Sequence, residues 1–156
     1  MARLPDRPRR WTRSARGELL HRGTFNGNPI SVGASVACIS HLAKHAGTIY
    51  PHINGLAAYL AGHIRKIAAK HDVICAVNCT GSALQIALGT SEMTTLADTV
   101  NADFTATREF AGLLLARGIQ IIGRGLMYMT TAHDTADIAQ TAEALDGAFA
   151  ELSCKR

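Results

Sequence analysis

The stretch His21 to Ser35, HRGTFNGNPISVGAS, decides how this chain is read. Gly23 to Pro29 is turn-rich, and a helix follows it. Asn28 is a good N-cap, and Pro29 suits the first helical position because the N–H it lacks would have had no intrahelical partner there. The predicted helix runs from Ile30 to about Lys44 and is rich in Ala, Gly and Ser, which implies close backbone packing against neighbours. The loop has the chemistry of an anion site. Gly23 lets a ligand approach the backbone, the Thr24 hydroxyl can donate, and the helix start adds positive partial charge. A plain capped loop is the competing reading.

Upstream, residues 1 to 17 have two prolines, no periodicity and six arginines against Asp6. They read as an unstructured leader, since the prolines spoil an amphipathic transit helix. Residues 1 to 16 hold a net charge of +5, so the rest of a chain whose total is +4 is close to neutral. With no arginine and lysine interleaved with aromatics elsewhere, a nucleic-acid groove is not expected.

Downstream of Gly47, Ile49, Ile53, Leu56, Ala57, Leu60, Ile64, Ile67 and Ala68 recur at steps of three and four. They mark an amphipathic helix of about 22 residues, about 33 Å long, enough to connect two lobes. Val73, Cys75, Val77 and Cys79 alternate, as do Leu84, Ile86 and Leu88, and Gly81 separates these two predicted strands. The Thr-rich stretch from Gly89 to Asp103 has no clear pattern. Ala106, Phe110, Leu113 and Leu114 mark a helix that stops at Gly118. Ile119 to Ile122 and Leu126 to Thr130 are β-prone and flank Gly123-Arg124-Gly125, which suits a hairpin. Asp134 caps a last helix that buries Ile138, Ala142, Leu145, Phe149 and Leu152. This order predicts a small mixed or antiparallel sheet with helices on one face.

Hydrophobic residues make up 47% of the 156 and aromatics only 5%, so aliphatic side chains must fill the core. The length is that of one ordinary domain, short for an enzyme with a large cofactor-binding domain, and hints at a part of something. Cys38, Cys75, Cys79 and Cys154 form no CxxC pair. On one strand Cys75 and Cys79 would stand about 13 Å apart, beyond disulfide reach, so reduced thiols in a cytoplasmic protein are expected. No apolar run approaches a membrane span, and the N-terminus lacks a secretory h-region. His41 and His45 share a helix face but have neither a glutamate between them nor a third ligand, so no metal site is expected.

Two separated strings carry a resemblance. His21 to Ser35 resembles the H-x-GTF-x-NP loop of class III pyridoxal-phosphate-dependent aminotransferases of the glutamate-1-semialdehyde aminomutase type. FAGLLLARGIQIIGRGLMYMTTAHDTADI, Phe110 to Ile138, resembles that family's C-terminal end. The matches lie in the family's order and span about residues 19 to 152.

The resemblance implies the C-terminal part of a fold type I α/β enzyme, locally α+β. Residues 18–47 would end the large domain, 48–71 form the long connecting helix and 72–156 form the small domain. It implies pyridoxal 5'-phosphate as cofactor and a homodimer in which Gly23 and Thr24 contact the phosphate held by the other subunit. The lysine that bonds the cofactor lies upstream of the Gly-Thr in the family. That places it ahead of Met1, leaves this chain no catalytic residue and points to a truncated or frame-shifted gene start. The aminomutase subgroup usually has Pro-Ser before an aromatic-Glu pair in the last hairpin. Here the sequence is Gly123-Arg124-Gly125-Leu126, and Arg124 reads either as a two-pronged partner for a substrate carboxylate or as a solvated turn residue. The substrate would be an amino acid or its keto or aldehyde partner. The alternative to an enzyme part is a non-catalytic remnant able only to fold or dimerise.

Overall fold

A computed structural model describes residues 23–154. The predicted leader, residues 1–17, lies outside them. The chain divides into two compact units, Met1–Lys44 and His45–Arg156.

In the first unit a short loop leads into helix α1, Pro29–Lys44. The cap is the expected one: Asn28 Oδ1 accepts from the N–H groups of Ile30 and Ser31, both at 3.1 Å. The close packing read from the small residues is not found. No residue of α1 is buried, Ile30 is 81% exposed, and a Cβ on Gly33 would meet nothing within 4 Å.

The second unit is built on a three-stranded antiparallel sheet, β1 (Cys75–Thr80), β2 (Ala83–Leu88) and β3 (Leu126–Tyr128), in the order β1-β2-β3. Cys75 pairs with Leu88 and Thr80 with Ala83, which leaves Gly81 and Ser82 to make the turn. Gly81 takes φ 58°, as the first residue of a tight hairpin connection requires. Helix α2 (Ala46–Lys70) packs on β1 and on helix α4 (Thr135–Cys154), while helix α3 (Phe104–Leu115) packs on β2 and α4.

The core lies between these helices and one sheet face, filled by Leu60, Ile64, Leu84, Ile86, Phe110, Leu114, Leu145 and Phe149. The Phe110 and Phe149 ring centroids are 4.4 Å apart in a tilted, closely packed pair. On the opposite sheet face Ala76 and Ala87 are covered by Met93, from a connection that contains a 3₁₀ helix at Leu96–Asn101. Thr95 and Asp98 cap that turn reciprocally, which organises the stretch whose sequence showed no pattern.

Two boundaries differ from the sequence reading. The helix placed at 48–71 begins at Ala46, and from Leu56 onward it buries Leu56, Ala57, Leu60, Ala61, Ile64 and Ala68. This helix and residues 72–156 fall in one unit, His45–Arg156. The second difference concerns the hairpin read at 119–122 and 126–130. It closes at one bridge, Ile122 with Leu126, and only Leu126–Tyr128 is strand. The 119–121 arm turns away because Ile119 N–H is already bound to the Leu114 carbonyl at the end of α3.

Polar contacts fix the helices to one another. Arg117 spans α3 and α4, donating to the carbonyls of Leu113 and Gly147 and to the Glu151 carboxylate at 2.9 Å. Asp146 on α4 receives Lys70 at 2.8 Å and His71 at 2.8 Å from the end of α2. Asp134 caps the start of α4 as expected, accepting from Ala136 N–H, and Asp137 accepts from Asp134 N–H in return. Thr107 is the one fully buried polar side chain among the described residues. Its hydroxyl accepts from Leu88 N–H and donates to the Asp103 carbonyl, joining β2 to α3.

Candidate functional site

Two elements carry the candidate residues, one in each unit. In the first unit the loop folds on itself through Asn26 N–H to the Gly23 carbonyl at 3.0 Å and Asn28 N–H to the Phe25 carbonyl at 3.1 Å. Gly23 and Thr24 are both exposed. A Cβ on Gly23 would meet only the end of the exposed Asn26 side chain, with Oδ1 2.8 Å away.

The N–H groups of Ile30 and Ser31 at the head of α1 are already engaged by Asn28. The Thr24 hydroxyl and the N–H groups of Gly23 and Thr24 donate no hydrogen bond among the described residues, and they stand at the surface. Those groups are what the loop offers a phosphate.

In the second unit Arg124 lies on a turn held from several sides. Gly125 N–H donates to the Ile122 carbonyl at 2.8 Å, and Ile122 N–H donates to the Leu126 carbonyl at 3.1 Å. Ile86 N–H on β2 donates to the Gly125 carbonyl at 2.9 Å, while Gln85 Nε2 reaches the Arg124 carbonyl at 3.4 Å. Gly125 is buried at φ 76°, and a Cβ there would overlap the Ile86 carbonyl oxygen. The guanidinium of Arg124 is exposed and has no hydrogen bond or ion pair among the described residues.

His41 and His45 are exposed, and no group of His, Cys, Asp or Glu among the described residues could hold a metal ion. All four cysteines are free. Burial pushes the half-buried Cys75 thiol up to about 11, although the Arg65 charge nearby acts in the opposite direction. No described helix is long and apolar enough to cross a membrane.

No protein-family model matches the chain. Glutamate-1-semialdehyde 2,1-aminomutase of Caldicellulosiruptor saccharolyticus is 28% identical over 133 residues, a match that covers 84% of this chain and 31% of that protein. Among solved structures, a transaminase with PLP bound superposes with a TM-score of 0.71 at 23% identity, over 88% of this chain and 30% of that one. An omega-transaminase from Sphaerobacter thermophilus gives 0.69 at 20% identity, over 86% and 31%. The fold is thus a part of the transaminase fold, as the two sequence strings implied. The chain spans about a third of the length of these relatives.

Proposed function

We propose that this chain is the C-terminal portion of a pyridoxal 5'-phosphate-dependent enzyme that transfers an amino group, of the aminotransferase or glutamate-1-semialdehyde 2,1-aminomutase kind. The observation that carries the reading is the exposed Gly23-Thr24 bend, where a hydroxyl and backbone N–H groups have no hydrogen-bond acceptor among the described residues. Such donors suit a dianionic phosphate, because hydrogen bonds to a charged acceptor are about twice as strong as neutral ones.

In this reading Gly23 and Thr24 bind the phosphate of the cofactor carried by a second subunit of a homodimer. Arg124, on its fixed turn, pairs with the carboxylate of an amino-acid or keto-acid substrate. The bound cofactor supplies an electron-withdrawing ring that eases loss of a proton from the substrate carbon. This chain's residues bind and orient: Thr24 holds the phosphate end, Arg124 fixes the carboxylate, and the small domain carries Arg124 on a turn tied to β2. None of its lysines corresponds to the family's cofactor-bonding lysine, so acid–base work at the substrate falls to the rest of the enzyme. The four free thiols support a reducing, cytoplasmic setting.

The test is complementation. The chain is co-expressed with the N-terminal two-thirds of an aminomutase relative, and retained cofactor and amino transfer are measured for wild type and Thr24→Ala. The expected result is an assembled, cofactor-loaded complex in which Thr24→Ala weakens cofactor retention about tenfold, the size of one charge-assisted hydrogen bond. Equal retention by the variant would refute the phosphate role. Failure to assemble would favour the non-catalytic remnant, and a stoichiometric borohydride-trapped adduct on a lysine of this chain would overturn the assignment of the lysine elsewhere.

A further inference from the structure

Five asparagines fall among the described residues, and what surrounds each one sorts them. Asn28 precedes Pro29, which has no N–H, and its Oδ1 is held by the N–H groups of Ile30 and Ser31. Asn78 precedes Cys79 on β1, and its Nδ2 donates to the Met93 carbonyl at 2.6 Å. Asn101 precedes Ala102, whose Cβ crowds the amide between them. Asn26 and Asn54 each precede a glycine, and both pairs are exposed. Exposure does not distinguish these pairs; the backbone does. Asn54-Gly55 lies inside α2, where the Gly55 N–H is bound to the carbonyl four residues back and the chain is fixed at helical angles. Asn26-Gly27 lies in the loop before α1, where Gly27 stands at φ 77° and its N–H donates no hydrogen bond among the described residues.

We propose that Asn26-Gly27 is a site of spontaneous deamidation that shuts off anion binding by the Gly23-Thr24 bend. The Gly27 amide nitrogen, once it has given its proton to hydroxide, attacks Cγ of Asn26. A nitrogen–carbon bond forms, the Cγ–Nδ2 bond breaks, ammonia leaves with a proton from water, and a succinimide ring results. Water then opens the ring, at Cγ to give aspartate or at the backbone carbonyl to give isoaspartate, whose chain runs through Cβ and Cγ. Water and base are the co-reactants, and nothing is oxidised or reduced. Glycine at position 27 favours the step because it has no Cβ to obstruct the ring and its backbone turns freely. The consequence follows from where the side chain lies. Asn26 Oδ1, Cγ and Nδ2 all come within 2.9 Å of the position a Cβ on Gly23 would take, so the group that changes stands against the bend. Conversion puts a full negative charge beside the N–H groups of Gly23 and Thr24, where it repels a phosphate dianion and competes for the same donors. Isoaspartate also lengthens the main chain between Thr24 and the Asn28 cap. The shut-off rests on the phosphate role proposed above; the modification itself does not.

The experiment incubates the purified full chain at mildly alkaline pH for days and maps its peptides by mass spectrometry, resolving aspartate from isoaspartate. Asn26 is expected to convert at least about tenfold faster than Asn54, because attack at Gly55 first requires the helix to open. Both products should form, and Asn26→Gln should abolish conversion at that position. Conversion of Asn54 at the rate of Asn26, an Asn26 that stays intact, or aspartate without isoaspartate, as direct hydrolysis would give, would overturn the proposal. The aged chain is then assembled into the complemented complex. Aged wild type should retain cofactor about tenfold less well than fresh chain, and aged Asn26→Gln should match its fresh counterpart. A chain fully converted at Asn26 that retains cofactor like fresh chain would overturn the shut-off. Cofactor retention that Thr24→Ala leaves unchanged would instead refute the phosphate role, and the peptide map, which involves no cofactor, would stand.

Discussion

Replacing Gly125 with alanine tests the rigidity of the turn on which the role of Arg124 depends. Three costs add at this position. The backbone stands at φ 76°, where a Cβ costs about 1–2 kcal/mol. The new methyl would overlap the Ile86 carbonyl oxygen and come within 3.1 Å of Thr107 Cγ2 in a closed part of the core, an overpacking of about 1–3 kcal/mol. Moving away to relieve that overlap stretches the 2.9 Å hydrogen bond from Ile86 N–H to the Gly125 carbonyl, worth about 1 kcal/mol. The expected loss is therefore about 3–6 kcal/mol, a large share of the roughly 5–15 kcal/mol that holds a domain folded. It should appear in urea or thermal unfolding followed by circular dichroism as a fall of at least about 12 °C in midpoint. Gly123→Ala is the control. Its Cβ would meet only Arg108 Cγ, at 3.8 Å, so it should cost less than about 1 kcal/mol. A Gly125→Ala protein that unfolds within about 1 kcal/mol of wild type would refute the argument that this turn is fixed by its contact with β2.

Three further predictions follow from the packing. Thr107→Val retains the shape of a fully buried side chain but leaves Leu88 N–H without its acceptor, so it should cost about 1–3 kcal/mol in denaturant unfolding, and an effect under about 0.5 kcal/mol would show that water replaces the hydroxyl. Hydrogen bonds from Lys70 and then His71 hold the Asp146 carboxyl below its usual range. A depressed folded value contributes stability that is present above the ordinary carboxylate range and disappears as pH falls through the folded value, so Asp146→Asn should flatten the acid limb of a stability–pH profile; an unchanged limb would count against the clamp. Iodoacetamide at mildly alkaline pH should modify the exposed Cys38 and Cys154 well before Cys75, whose thiol burial raises to about 11, and equal labelling measured by mass spectrometry would contradict the packing of β1.

The helices were legible because each carries a local signal that tertiary structure did not override. The Asn28 cap, the Asp134–Asp137 box and the apolar spacing from Ile53 to Ala68 depend on neighbours within a turn or two, and each appears as read. The hairpin at 119–130 was less legible because both arms are β-prone while only one finds a partner. Met129 N–H bonds to the Ser82 carbonyl and the other arm is captured by the end of α3, a competition between distant segments that periodicity does not record. The order of 89–103 was illegible for a related reason. It depends on Met93 covering Ala76 and Ala87 and on Asn78 Nδ2 donating to the Met93 carbonyl at 2.6 Å, contacts made across the sheet.

The candidate residues divide along the same line. Gly23, Thr24 and Arg124 were found through strings that resemble a family, and the structure adds what the strings lacked: which donors are engaged. The Asn28 cap that makes the start of α1 also uses the N–H groups of Ile30 and Ser31, a direct competition between Asn28 and any anion for the same atoms. That competition leaves the phosphate role to the Thr24 hydroxyl and the loop backbone, which makes Thr24→Ala more informative than any change in the helix.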